Sequence, residues 1–150
     1  MQTIVKMKPS EKQITEIAEQ LECGFNCYFN TKDGQLKSII NADKIEFDYD
    51  YFEEDELNKL NEIKKHWDSY IQFEGMNSHE SFNLMVDFAD SIDDLNIKEK
   101  LIRSLNKPKP FQNFKWEIDN SGIYRQQWFN YKQLRYIEYV RKQIDMNFND

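Results

Sequence analysis

Past Gly75 the apolar residues keep helical spacing almost to the C-terminus, which confines any β-structure to the first half of the chain. A helix from Asn77 or Ser78 to about Ser91 places Phe82, Met85, Val86, Ala89 and Ile92 on one side, and Asn77 with Glu80 has the spacing of a helix cap. A shorter helix covers about Ile97 to Leu105. Lys107-Pro108-Lys109-Pro110 then breaks the pattern, because each proline removes a backbone donor and fixes φ. Phe111 to Ile118 reads as a short helix that Asn120-Ser121-Gly122 ends, and the last helix runs from Gly122 or Ile123 to about Met146.

The first half mixes periods. Ser10 and Gln13 have capping-box spacing at the head of a helix from about Ser10 to Glu22, with Ile14, Ile17, Ala18 and Leu21 in one stripe. Gly24 stands where a left-handed C-terminal cap is needed. Phe25 to Asn30 and Gln35 to Ile40 read as strands joined by a turn at Lys32-Asp33-Gly34, since Asp-Gly between apolar runs favours a hairpin. Residues 43–56 are acidic and aromatic. A helix follows from about Glu53 to Lys65 with Leu57, Leu60 and Ile63 inward, and Tyr70 to Glu74 reads as a third strand. The class is therefore α+β: mainly helical, with a small N-terminal antiparallel sheet (hairpin plus one strand) packed against helices. One domain over residues 1–150 is expected, with a helix–hairpin–helix–strand half at about 10–75 and an all-helical half at about 77–146.

A chain of 150 residues buries roughly two-thirds of its unfolded surface, so it needs neither disulfide nor metal to fold. Hydrophobic residues are sparse at 39%, but aromatics at 15% supply large areas per side chain. The N-terminus carries no apolar run of signal-peptide length and no stretch has the composition of a membrane span, so a cytoplasmic protein without membrane association is expected. Cys23 and Cys27 form neither a redox C-x-x-C pair nor a two-pair zinc motif and read as reduced structural thiols.

The hairpin Cys23-Gly24-Phe25-Asn26-Cys27-Tyr28-Phe29-Asn30-Thr31-Lys32-Asp33-Gly34 resembles a strand–turn–strand entry in the bacterial uncharacterised protein family 0158. Ser78-His79-Glu80-Ser81-Phe82, with Met85, Asp87 and Phe88, is similar to that family's central helix. Lys109-Pro110-Phe111-Gln112-Asn113-Phe114-Lys115 resembles its Pro-Phe-x-x-Phe segment, and Trp128-Phe129 an aromatic pair in its last helix. The resemblance spans about residues 20–145. It implies a bacterial, single-domain, cytoplasmic protein and carries no established activity with it.

Two regions invite chemistry. On the central helix, Glu80, Asn83, Asp87 and Asp90 fall opposite the apolar side. They read either as a carboxylate row for a cation or acid–base work, or as the solvated face of an amphipathic helix. His79 lacks a partner at catalytic or ligand spacing, and His66, the other histidine, lies in a different element. No P-loop, G-x-G-x-x-G, G-x-S-x-G or H-E-x-x-H motif occurs, and with four scattered glycines a glycine-rich phosphate cradle is hard to build. No catalytic residue, metal or cofactor is assigned.

Charge marks the second region. Residues 43–99 hold 17 Asp/Glu against 5 Lys/Arg, whereas residues 100–142 hold 10 Lys/Arg against 3 Asp/Glu. On the last helix, Phe129, Tyr136, Ile137, Val140 and Ile144 define the expected core face. Nearly opposite lie Tyr124, Trp128, Tyr131, Lys132, Arg135, Tyr139 and Lys142, aromatics interleaved with cations. Such a face suits a protein hot spot or self-association, or, less readily in an acidic protein, RNA or single-stranded DNA. It also suits a helix covered on both sides by its own domain. Phe111 and Phe114 read either as a docking pair or as anchors of their short helix. The expectation is a non-enzymatic interaction or regulatory protein using this aromatic–basic face.

Overall fold

The computed structural model describes residues 5–41 and 54–148. Its elements are helix α1 (Glu11–Glu22), strands β1 (Phe25–Asn30) and β2 (Leu36–Ile40), helix α2 (Glu54–Lys65), strand β3 (Tyr70–Phe73), and helices α3 (Ser78–Ser91), α4 (Leu95–Leu105), α5 (Pro110–Asp119) and α6 (Ile123–Phe148). The fold is mainly helical α+β with one three-stranded antiparallel sheet, in the order β2-β1-β3. Residues 42–53, most of the acidic and aromatic run, lie outside the described residues. Backbone contacts group the chain into two compact units, residues 5–75 with 136–148 and residues 76–135.

In the first unit, local chemistry sets the elements. Ser10 Oγ accepts from the Gln13 amide while Gln13 Oε1 accepts from the Ser10 amide, so two of the orphan donors at the start of α1 are satisfied. Ile14, Ile17, Ala18 and Leu21 are all buried, and α1 packs on β1. In the hairpin turn, Asn30 Oδ1 accepts from the amides of Lys32 and Asp33, and Gly34 adopts φ 74°, a left-handed conformation that costs glycine nothing. The register pairs Cys27 with Ser38 and Phe29 with Leu36. Tyr28, Ile39 and Ile63 form a core cluster in which α2 covers β2.

In the second unit, Asn77 and Glu80 form the reciprocal cap of α3. Helix α4 begins two residues earlier than its apolar spacing suggests. The Asp94 carboxylate accepts from the Asn96 and Ile97 amides and so starts the helix at Leu95. Helix α5 opens on Pro110 at its first turn, after Lys109 in the left-handed region at φ 58°. Leu84, Met85, Phe88, Leu101, Phe114 and Ile118 fill the core of this unit.

Candidate interaction groove on helices α5 and α6

Helix α6 contributes its first half to the second unit and its second half to the first. In the second half, Tyr136, Val140 and Ile144 are buried as the apolar spacing predicts, while Ile137 is half-buried. The first half departs from that spacing. Trp128 is buried at 8% exposure, whereas Phe129, placed by the sequence on the core face, stands 40% exposed.

The cause is aromatic packing from α3 and α5. The Trp128 ring lies 5.2 Å from Phe88 and meets Phe114 edge-on at 5.0 Å. Tyr131, half-buried, sits 5.3 Å from Phe88 and 6.4 Å from Trp128. Trp128 therefore supplies the large inward side chain that the apolar spacing assigns to Phe129. The inward direction thus differs between the two halves of α6: Trp128 and Tyr131 face the second unit's core, and Tyr136, Val140 and Ile144 face that of the first.

The stripe read as one open aromatic–basic face is thus divided. Trp128 is a core residue, and Tyr131 and Arg135 are joined within the unit. Arg135 Nη1 donates to the Tyr131 hydroxyl at 3.1 Å, its guanidinium lies 5.5 Å from the Tyr131 ring, and Nη2 meets Asp87 at 3.4 Å. Tyr124 is half-buried. Tyr139 packs edge-on against Tyr136 at 6.2 Å, and Lys142 is exposed on the second half of the helix. Of the seven residues, Trp128 and Lys132 line a groove.

That groove runs between α5 and α6 and has a volume of about 220 Å³. Met85, Phe114 and Trp128 line its apolar floor. Phe111 of α5, 44% exposed, and Phe129 of α6 line it as well, so its margins present aromatic surface to water. Each helix also adds a lysine, Lys115 from α5 and Lys132 from α6. Asp119 is the carboxylate among the lining residues, and Arg125 meets it at 3.2 Å while its guanidinium stacks 4.7 Å from the Phe129 ring. Phe111 and Phe114 thus divide the two roles proposed for them: Phe114 anchors α5 and Phe111 remains at the surface. Lys115 escapes a reading of α6 alone. Its signal is the four-residue step from Phe111 along α5.

Two of the three carboxylates in the α3 row have partners, and Asp90 is exposed. Glu80 closes the cap, Asp87 pairs with Arg135, and His79 Nε2 lies 3.3 Å from Asn83 Nδ2. Among the described residues, no three His, Cys, Asp or Glu side chains converge on a point that could hold a metal ion. Cys23 and Cys27 are both free thiols. Burial pushes the Cys27 thiol up to about 11, against the opposing contact with Ser38 Oγ at 3.6 Å, so it is a poor nucleophile. Among the described residues no helix is long and apolar enough to cross a membrane.

No curated protein and no solved structure matches the chain. The model of the uncharacterised protein family UPF0158 matches residues 11–149, which include the hairpin, the central helix and both walls of the groove, and the chain belongs to that family.

Proposed function

We propose that this protein is a non-enzymatic interaction or regulatory protein, and that it meets a protein partner at the α5–α6 groove rather than along the whole aromatic–basic stripe of α6. The observation that carries the reading is the exposure of Phe111 and Phe129 beside an apolar floor with a lysine on each helix. Large aromatics left open within a preformed concavity are what interface hot spots are made of. The volume supports the same reading. A groove of about 220 Å³ falls below the roughly 300–1,000 Å³ of a small-molecule or cofactor pocket and suits one inserted side chain. A cytoplasmic setting agrees with two free thiols, one of them exposed.

The test is a photo-cross-linker placed at Phe129 of the full chain in its own cells, compared with one at Glu99 on the exposed side of α4. The reading expects discrete protein adducts from position 129 that disappear when Lys115→Glu and Lys132→Glu are combined. Adducts of the same pattern from both positions, or none from position 129, would contradict it.

A further inference from the structure

We infer that the occupant of the α5–α6 groove is an acidic segment of a partner protein that inserts one aromatic or large aliphatic side chain between flanking carboxylates. The inference rests on the groove reading above and adds the chemistry of the partner.

Three observations select that chemistry. The floor of Met85, Phe114 and Trp128 is apolar and has room for a single side chain, so affinity must come from one anchor rather than a broad apolar face. The two lysines stand on different helices, so acidic residues before and after the anchor can each meet one. Asp119, which would repel such a ligand, is already held by Arg125. Over residues 107–135, which carry both groove helices within this unit, the sequence holds 6 Lys/Arg against 2 Asp/Glu.

A basic partner would set its charges against both lysines. A single-stranded nucleic acid would satisfy the lysines with phosphate and stack bases on open rings. Of the aromatic rings in this groove, however, Phe114 and Trp128 are buried by their neighbours and Arg125 lies over the ring of Phe129, which leaves Phe111 to stack on, too few rings for successive bases.

The experiment is fluorescence anisotropy of the full chain with short labelled peptides. The first is a run of glutamates around one phenylalanine. The second replaces that phenylalanine by alanine, and the third replaces the glutamates by lysines. Labelled oligothymidine is the nucleic-acid arm, and sedimentation of the chain alone is the self-association arm.

The glutamate–phenylalanine peptide should bind. Its affinity should fall roughly tenfold or more when the anchor becomes alanine, and by a similar factor in the combined Lys115→Glu, Lys132→Glu protein. That double variant should now prefer the lysine peptide, a reversal that loss of folding cannot produce. Equal binding of the glutamate and lysine peptides, tighter binding of oligothymidine at the groove, or a dimer that occludes Phe129 would each overturn the inference. If the glutamate peptide does not bind while the cross-linker at Phe129 still yields charge-dependent adducts, the partner chemistry is wrong and the interaction function stands. If both are silent, both fall.

Discussion

Helices α1 and α5 are close in length and each carries four apolar residues, yet they finish differently. In α1, Ile14, Ile17, Ala18 and Leu21 are all buried, and the helix has no apolar surface left over. In α5, Phe114 and Ile118 are buried, while Phe111 and Trp116 stand 44% and 63% exposed. The first helix is accounted for by its own unit. The second carries more aromatic surface than its own unit covers, and Phe111 lies at a groove with lysines on both helices. The contrast separates residues that hold the fold from residues available to something else, a separation that apolar content alone does not make.

The comparison breaks most visibly at the buried aromatics. Phe114→Ala removes a ring at 2% exposure that packs on Trp128, and should cost about 3–5 kcal/mol in urea unfolding, enough to lose most of a small domain's stability. Should Phe114→Ala unfold like the wild-type protein, α5 would not be anchored as described. A smaller loss sharpens the α1 side. Ser10→Ala removes the side chain that accepts from the Gln13 amide and should cost about 1 kcal/mol, read as a lower urea midpoint at unchanged slope.

Phe111→Ala should change stability by less than about 0.5 kcal/mol, as expected of a surface substitution, while weakening peptide binding. A stability loss comparable to that of Phe114→Ala would place Phe111 in the core and erase the difference between the two helices. The smallest effect concerns the ion pair that ties α1 to the end of α6 in the same unit. Arg141 Nη2 meets Glu11 Oε2 at 2.6 Å, and this hydrogen bond, with the arginine charge, holds the Glu11 carboxyl below the ordinary carboxylate range. A carboxyl with a lowered folded value adds stability above the unfolded value and loses it as pH falls through the folded one. Glu11→Gln should therefore lower the melting temperature slightly near neutral pH, with the gap to wild type closing in acid. The absence of a gap near neutral pH, or a gap that does not close in acid, would show that the Glu11 charge adds nothing to stability, as in many exposed pairs.

Much of the fold was legible because it is encoded locally. The Ser10–Gln13 and Asn77–Glu80 caps, the Asp33-Gly34 turn and the α1 stripe each depend on residues a few positions apart, and each reads directly from spacing. Apolar spacing places the start of α4 at about Ile97, and the Asp94 cap, a local signal that spacing does not contain, starts it at Leu95.

The inward side of the first half of α6 was not readable this way. Whether Trp128 or Phe129 enters the core is decided by Phe88 and Phe114, 40 and 14 positions away from Trp128, and no period within α6 contains that information. The same non-local choice moved the candidate surface. Tyr131 and Arg135 are tied to each other and to α3, and Lys132 lines the groove together with Lys115 of α5. The opposition of acidic and basic segments, by contrast, was plain in the sequence and still sets the sign of the proposed partner.

The exposed rings at the groove serve recognition rather than folding, and the combined Phe111→Ala, Phe129→Ala variant tests that in one titration. With the glutamate–phenylalanine peptide, the account predicts a protein that melts close to wild type and binds at least roughly thirtyfold more weakly. A variant that melts close to wild type and binds the peptide with undiminished affinity would contradict it.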